Sequence, residues 1–265
     1  MSKQLRIHDL INMKQAGEKI ACLTSYDATF AKLQEQANLD VLLVGDSLGM
    51  VLHGCKTTLQ VSMADMIYHT RLVSHVTSQP LIISDMPFMS YQNSSQALGN
   101  AARLVAEGGA HMVKLEGSEL ILDSVQLIVN SGIPVCGHLG LTPQSIHELG
   151  GYKVQGKTDE DAEALLEQAK ALEQAGVSCI VLECIPQKVA ATISNNLGIP
   201  TIGIGAGVDC DGQVLVTYDM LGMTEKQPSF SKNFLIDQDS ILTAFKCYVK
   251  AVKDKTFPAA EHGFN

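Results

Sequence analysis

The chain has 265 residues, of which 46% are hydrophobic and 18% are charged. This composition supports a large core in one large domain or two small ones, and it excludes a disordered or fibrous protein. The 28 acidic residues outnumber the 19 lysines and arginines, and the formal net charge is −9. Because no run of Lys or Arg offsets that charge, we do not expect a nucleic-acid partner.

No segment of the sequence predicts export or membrane insertion. The apolar stretches at 41–44 and 80–83 fall far short of the roughly 18 residues that a membrane span needs. The N-terminus reaches His8 and Asp9 before any apolar run, so it lacks the core of a secretory signal. The 7 cysteines include no C-x-x-C pair, which indicates neither a disulfide framework nor a zinc site. We therefore expect a cytoplasmic protein with no membrane partner.

Short runs rich in Val, Ile and Leu alternate with longer stretches of helical periodicity. The runs predict parallel strands at 20–27, 41–47, 81–87, 112–117, 134–140, 179–184, 200–207 and 213–219. Helices are predicted between them at 28–38, 62–78, 94–108, 118–131, 158–176 and 186–197. The segment 207–212 is too short for a helix, and 236–253 predicts an extra C-terminal helix that in such folds often packs on a neighbour.

Repeated βα units in a chain of this length favour a (β/α)8 barrel, the TIM barrel, over an open doubly wound sheet, which remains the competing arrangement. No linker rich in Gly, Ser or Pro divides the chain. We therefore predict one barrel domain over residues 1–265 with an extra C-terminal helix. Catalytic groups in such barrels come from the carboxyl ends of the strands.

Five of the predicted strands end in polar or charged residues, which need an explanation inside apolar runs. They are Asp46 and Ser47, Asp85, Lys114 and Glu116, His138, and Glu183. Since side chains alternate along a strand, Lys114 and Glu116 share one face, and Glu183 has the parity of Val181. We expect these faces to point toward the barrel mouth.

Asp46, Asp85 and Glu116 would place three carboxylates in one mouth, where they repel one another unless protons or a cation intervene. Oxygen ligands alone favour Mg²⁺ or Mn²⁺. The alternative is that each acid caps the following helix or pairs with a Lys or Arg. Three acids on consecutive strands favour the metal site.

The other strand-end residues each allow two interpretations. Lys114 either neutralises Glu116 or Asp85 or holds a substrate carboxylate, and these roles are compatible. Glu183 is a candidate general base, or else a helix cap or ion-pair partner. On pattern alone, His138 is more typical of a core or turn histidine than of a catalyst. The glycines of 203–207 could bind a phosphate, but they are equally typical of a sharp turn.

Longer motifs around these strand ends resemble one known family. They are Val-Gly-Asp46-Ser47-Leu-Gly-Met, Asp85-Met-Pro-Phe, Val-Lys114-Leu-Glu116-Gly, Pro-Val-Cys-Gly-His138-Leu-Gly-Leu-Thr-Pro-Gln, Gly-Gly-Tyr-Lys-Val-Gln-Gly and Leu-Glu183-Cys. In this order they resemble ketopantoate hydroxymethyltransferase, also called 3-methyl-2-oxobutanoate hydroxymethyltransferase. The resemblance runs from about Ile20 through Phe234 and on to His262.

The resemblance implies a barrel of the phosphoenolpyruvate/pyruvate type that assembles as a homodecamer, a pentamer of dimers. Its implied reaction moves a hydroxymethyl group from 5,10-methylenetetrahydrofolate to 3-methyl-2-oxobutanoate through a Mg-stabilised enolate. The products would be 2-dehydropantoate (ketopantoate) and tetrahydrofolate, on the route to pantothenate and coenzyme A. One Mg²⁺ per subunit is implied at Asp46, Asp85 and Glu116, bound directly or through water.

The resemblance also implies roles for single residues. Asp46, Ser47, Asp85 and Lys114 correspond to contacts of the 2-oxo acid, Glu183 corresponds to the catalytic base, and His138 is auxiliary. The folate contacts are too diffuse to transfer.

Two rival functions remain open from the sequence. One is a carbon–carbon lyase that acts on a 2-oxo or 2-hydroxy acid with the same metal site, and a requirement for folate distinguishes the two. The other is a catalytically silent barrel that serves as a scaffold.

Overall fold

The computed structural model describes residues 4–265, so the first three residues of the predicted domain and of the N-terminal segment lie outside it. All strand pairs are parallel, and β8 pairs with β1 to close a barrel in the order β1 to β8. The strands are β1 Ile20–Thr24, β2 Val41–Val44, β3 Leu81–Asp85, β4 Met112–Glu116, β5 Val135–Gly140, β6 Cys179–Glu183, β7 Thr201–Ile204 and β8 Gly212–Leu215.

Helices follow most of the strands and surround the barrel. Within residues 4–265 they are α1 Ile7–Ala16, α2 Ala28–Gln36, α3 Leu48–Val51, α4 Met63–Ser74, α5 Ser94–Ala106, α6 Leu122–Asn130, α7 Ile146–Leu149, α8 Asp159–Ala175, α9 Gln187–Asn196, α10 Thr217–Met220 and α11 Ile241–Lys253. None of them is long and apolar enough to cross a bilayer.

Local sequence explains where several helices begin and end. The Ser62 hydroxyl accepts from the Asp65 amide, and the Ser62 amide donates to the Asp65 carboxylate, so a capping box starts α4. Asp27 caps α2 by accepting from the amides of Thr29 and Phe30. Gly176 ends α8 with a left-handed backbone. These caps satisfy amides and carbonyls that the helices leave unpaired.

The predicted (β/α)8 barrel is confirmed, and the open sheet is excluded because β8 closes on β1. Most predicted strands extended past the carboxyl ends that the structure shows, into the following loops. In particular, Thr217–Met220 forms α10 and is not the end of β8. The helix predicted from 118 begins at Leu122, after a 3₁₀ turn at Glu119–Ile121. As predicted, the segment between β7 and β8 forms no helix.

Two terminal helices complete the barrel. Helix α11 begins at Ile241 and packs on α2 and β1 of its own chain, where the Tyr248 hydroxyl donates to the carbonyl oxygens of Cys22 and Gln213 at 2.8 and 2.9 Å. Helix α1, which the sequence did not reveal, is joined to the segment before β8 by a 2.7 Å ion pair between Lys14 and Asp211. The extra C-terminal helix, which follows β8 in the chain, therefore packs against the barrel of its own chain.

Candidate active site

A cavity of about 490 Å³ opens at the carboxyl ends of the strands. Its volume lies within the range of about 300–1,000 Å³ that is usual for small-molecule sites. Every site residue predicted from the sequence lines it: Asp46, Ser47, Asp85, Lys114, Glu116, His138 and Glu183. The alternation argument is also confirmed, because Lys114 and Glu116 face the cavity together, as do Val181 and Glu183.

Lys114 is at the centre of the charged cluster. Strand register places it beside Asp85, and its Nζ lies 2.7 Å from Oδ1 of Asp85 and 3.7 Å from Oε1 of Glu116. Burial opposes its charge, but Asp85, Glu116 and Asp46 together raise the pKa of Lys114 above its usual value. Lys114 therefore stays an ammonium, and it does neutralise acids in the site, as one of its two predicted roles requires.

Asp46 follows β2, where its backbone amide donates to Oδ2 of Asp85 at 3.0 Å. Its own Oδ2 accepts a hydrogen bond of 2.8 Å from the side chain of Gln144. Burial, followed by repulsion from Asp85 and Glu116, raises the pKa of Asp46 well above its usual value. The side chain caps no helix, since α3 has no side-chain cap. The capping alternative is therefore wrong for Asp46.

His138 lies between two carboxylates. Its Nδ1 is 3.4 Å from Oε1 of Glu116, and its Nε2 is 3.3 Å from Oε2 of Glu183. Burial and Lys114 oppose protonation, but the two carboxylates prevail and raise the pKa of His138 to about 9. The imidazole is therefore part of the charged cluster and is not a core histidine held by neutral groups.

Glu183 ends β6 on the more open side of this cluster. Its side chain is 15% exposed, whereas that of Glu116 is 3% exposed. Helix α9 begins after Pro186 without a side-chain cap, so Glu183 caps no helix. A carboxylate with access to the cavity and no lysine partner among residues 4–265 can exchange a proton with a bound molecule.

Three functional contacts were not found from the sequence. The Tyr26 hydroxyl lies 2.9 Å from Oγ of Ser47, and the backbone amide of Gln144 donates to Oε2 of Glu116 at 2.9 Å. The hydroxyl of Tyr91 donates to Oε1 of Gln144. Tyr91 and Gln144 lie outside the predicted strands, so strand alternation gave no signal for them, whereas Tyr26 lay in the strand predicted at 20–27 but was not singled out. The one signal in the sequence for Gln144 was its place at the end of the family-like motif that contains His138.

The rest of the cavity wall is mostly apolar or aromatic, although Lys153, Asp219 and a few hydroxyl side chains also line it. Apolar side chains from four strands or strand ends form one side: Leu43, Val181, Ile204 and Val214. Phe230 and Phe264 form part of the rim and pack edge to face, with 6.5 Å between ring centroids. The cavity thus combines a charged floor with an apolar side.

The glycines after β7 serve close packing. Gly205 has a φ of +61°, and a Cβ on it would lie 3.0 Å from Phe264 and 3.1 Å from Phe230. A glycine is required there because other residues are strained at this φ and the rings leave no room. The geometry fits the sharp-turn interpretation of this segment.

The acids fit a magnesium ion held by two carboxylates. Within residues 4–265, no three His, Cys, Asp or Glu side chains form a ready metal cluster. Mg²⁺, however, is usually bound by one or two carboxylates, with water and substrate as its other ligands. Around Lys114 and His138, the four carboxylates of Asp46, Asp85, Glu116 and Glu183 outnumber one ammonium and one imidazole, while Asp219 and Lys153 line the cavity elsewhere. A divalent cation therefore suits both the excess of negative charge and the oxygen donors of this cluster.

Comparison with known proteins identifies the family. A family model described as ketopantoate hydroxymethyltransferase matches residues 4–260. This chain belongs to that family. A protein of Thiobacillus denitrificans named 3-methyl-2-oxobutanoate hydroxymethyltransferase is 54% identical over 95% of this chain and 96% of its own length. A protein of the same name from Pseudoalteromonas atlantica is 51% identical over 99% of both chains. The predicted resemblance is confirmed.

Solved structures support the fold type. The chain resembles phosphonopyruvate hydrolase in complex with oxalate and Mg²⁺, with a TM-score of 0.62, 13% identity and coverage of 82% of this chain and 81% of that one. It also resembles 2,3-dimethylmalate lyase, a member of the PEP mutase/isocitrate lyase superfamily, with a TM-score of 0.59, 15% identity and coverage of 82% and 81%. At this identity the likeness concerns the fold alone, and it agrees with the predicted (β/α)8 barrel.

Proposed function

We propose that the chain transfers a hydroxymethyl group from 5,10-methylenetetrahydrofolate to 3-methyl-2-oxobutanoate, giving 2-dehydropantoate and tetrahydrofolate. Its close relatives carry the name of this enzyme over nearly their whole length. Within the cell this reaction belongs to pantothenate and coenzyme A biosynthesis.

The observation that carries the proposal is the division of the cavity. The charged floor suits the carboxylate and keto oxygens of a 2-oxo acid. The apolar side suits a branched hydrocarbon tail, because burying it removes apolar surface from water. A second substrate carboxylate placed against Leu43, Val181 and Ile204 would be unpaired there.

Asp46 and Asp85 would hold Mg²⁺ directly, and Glu116, already engaged by Gln144, Lys114 and His138, would act through water. The ion supplies Lewis acidity that polarises the keto group and stabilises negative charge on its oxygen. Lys114 and Ser47 would bind the substrate carboxylate, and Tyr26 orients the Ser47 hydroxyl. The reacting carbon would then lie toward Glu183.

Glu183 would take the single proton from C3 of the 2-oxo acid, and the electron pair of that bond would form the enolate. His138, at 3.3 Å, holds the Glu183 carboxylate in place. C3 then forms its bond to the one-carbon unit, and the proton returns to the new alkoxide to give the hydroxymethyl group.

The number of carbon substituents on C3 of the 2-oxo acid determines when tetrahydrofolate must leave the one-carbon unit. Once the new bond forms, C3 carries four carbon substituents and no hydrogen, so it cannot expel tetrahydrofolate by elimination. Water therefore has to cleave the methylene group from the folate nitrogens before the carbon–carbon bond forms. One water enters per turnover, and its oxygen becomes the new hydroxyl. The cavity would accordingly hold a one-carbon aldehyde beside C3.

The test is a proton NMR time course in D₂O with Mg²⁺, 3-methyl-2-oxobutanoate and 5,10-methylenetetrahydrofolate. Loss of the C3 proton signal and growth of a hydroxymethyl signal, both abolished by EDTA, are expected. Exchange without product would indicate enolate chemistry with another electrophile, as in a lyase. Neither signal from folded, metal-loaded protein would favour a silent barrel.

We also propose that the chain self-associates, as the family resemblance implies for a homodecamer. Light scattering after size-exclusion chromatography measures the mass directly. A monomeric mass at micromolar concentration would contradict this proposal.

A further inference from the structure

Gln144 joins two acids of the cluster, although it is not one of the predicted site residues. It lies in the 3₁₀ turn Pro143–Ser145 after β5, and it is only 6% exposed. Its backbone amide donates to Oε2 of Glu116 at 2.9 Å. Its side-chain amide donates to Oδ2 of Asp46 at 2.8 Å and to the carbonyl oxygen of Met86 at 3.0 Å. One residue therefore holds carboxylates from two different strand ends.

The chemistry of the partners fixes the orientation of the Gln144 amide. A carboxylate and a backbone carbonyl only accept hydrogen bonds, so the NH₂ group must face Asp46 and Met86. Oε1 then faces the Tyr91 hydroxyl, which donates to it. Burial raises the pKa of Tyr91 above its usual value, so the phenol keeps its proton. A flipped amide would set Oε1 of Gln144 against two other acceptors, Oδ2 of Asp46 and the carbonyl oxygen of Met86.

These contacts determine which carboxylate oxygens remain open. Gln144 occupies Oδ2 of Asp46, and no hydrogen bond from the part of the chain that the structure describes reaches Oδ1. Oε2 of Glu116 is likewise occupied, which turns Oε1 toward Lys114 and His138. Without the amide, repulsion among the acids would drive the Asp46 side chain away from Asp85.

We propose that Gln144 is a positioning residue of the metal site, which fixes Asp46 and Glu116 so that Oδ1 of Asp46 is presented to a divalent cation. Tyr91 acts through Gln144 by fixing the orientation of its amide. This inference rests on the metal site of the proposed function. It assigns to the loop after β5 a role in forming the site before any substrate arrives.

The test measures binding of Mn²⁺ alone, by electron paramagnetic resonance on metal-stripped protein without substrate. Gln144→Leu keeps the side-chain size and removes the amide. Partners of metal ligands typically contribute about 10–100-fold to affinity, so its dissociation constant should rise by about that factor. Gln34→Leu is the matched control, because Gln34 is also a buried glutamine but bonds to the Thr24 carbonyl and Thr217. It should leave Mn²⁺ affinity unchanged even if it lowers Tm.

A second variant keeps the test decisive if Gln144→Leu does not fold. Tyr91→Phe removes only the hydroxyl and should weaken Mn²⁺ binding by a smaller factor than Gln144→Leu. In the Gln144→Leu background it should have no further effect, since the two residues act in series. If Tyr91 had only a structural role, the losses of Mn²⁺ affinity in the two single variants would instead add up in the double variant.

The outcomes separate this inference from the proposed function. Mn²⁺ affinity within twofold of the unaltered protein in both Gln144→Leu and Tyr91→Phe would overturn the positioning role and leave the metal site standing. If the unaltered protein binds no Mn²⁺, the proposed metal site fails and this inference fails with it. Weakened binding in Gln144→Leu with unchanged binding in Gln34→Leu supports it.

Discussion

Replacing Glu183 with glutamine is the sharpest test of the proposed chemistry. Glu183→Gln keeps the size of the side chain and removes its ability to take a proton. In the described part of the chain Glu183 pairs with no lysine, and its charged contact is His138, whose Nε2 lies 3.3 Å away. A glutamine carbonyl can accept from that nitrogen, so we expect the fold and the cluster of Asp46, Asp85 and Lys114 to persist.

The size of the effect follows from the role of a general base. Positioned acid–base groups typically contribute about 10²–10⁴-fold in rate. At about 1.4 kcal/mol for each factor of ten, the barrier to proton removal should rise by about 3–5 kcal/mol. Glu183 is also the most exposed acid of the cluster, so its replacement should alter Tm by only a few degrees.

The assay follows exchange of the C3 proton of 3-methyl-2-oxobutanoate in D₂O by NMR, with Mn²⁺ affinity measured on the same preparations. Glu167→Gln is the matched control, because that glutamate lies on the outer surface of α8, 65% exposed, and pairs with Lys170. We expect slow exchange and normal Mn²⁺ binding in Glu183→Gln, and normal values of both in Glu167→Gln. Exchange at the unaltered rate in Glu183→Gln would refute the assignment of Glu183 as the base.

Three further substitutions test the forces in the structure. Lys114→Met leaves Asp85 buried without its ammonium, so the free energy of unfolding in urea should fall by about 3–5 kcal/mol, and a loss below 1 kcal/mol would contradict a buried pair. Gly140→Ala should slow C3 exchange and lower Tm, because Gly140 has a φ of +89° and its new Cβ would lie 2.2 Å from the Glu183 carbonyl oxygen; unchanged values of both would show that β5 can move aside. Burial lowers the pKa of His111 below 6.5, and its Nδ1 accepts a hydrogen bond from the Ile82 amide. The folded state therefore binds fewer protons than the unfolded state, and the protein loses stability as the pH falls below about 6.5. His111→Asn keeps an acceptor that does not titrate, and the fall in Tm between pH 7.5 and 5.5 should be smaller than in the unaltered protein; an equal fall would exclude His111 as its source.

The strand-end residues could be predicted because two regularities act together. Side chains alternate along each strand, and consecutive parallel strands become neighbours when the barrel closes. The register accordingly places Asp85 beside Lys114, Glu116 beside His138 and Gly140 beside Glu183. Knowing the order of the strands was therefore enough to bring these residues into one cavity.

Loop residues had no such regularity. The contacts of Gln144 with Asp46 and Glu116 depend on the path of the chain after β5, which no periodic pattern encodes. Phe264 reaches the cavity because the C-terminal segment pairs with Pro186, far away in the sequence. Helix α1 was missed because its apolar face is short and Arg6, which precedes it, makes no side-chain cap.

The sequence by itself determined the barrel, the family and the set of acids at the strand ends, because these depend on periodicity and on motifs that are local in the chain. Tertiary structure alone decided which atoms meet. The 2.7 Å pairing of Lys114 with Asp85 and the position of His138 between Glu116 and Glu183 follow from distances across the barrel. Charges buried together interact strongly over a few ångströms, so their protonation depends on those distances, and residue order does not encode them.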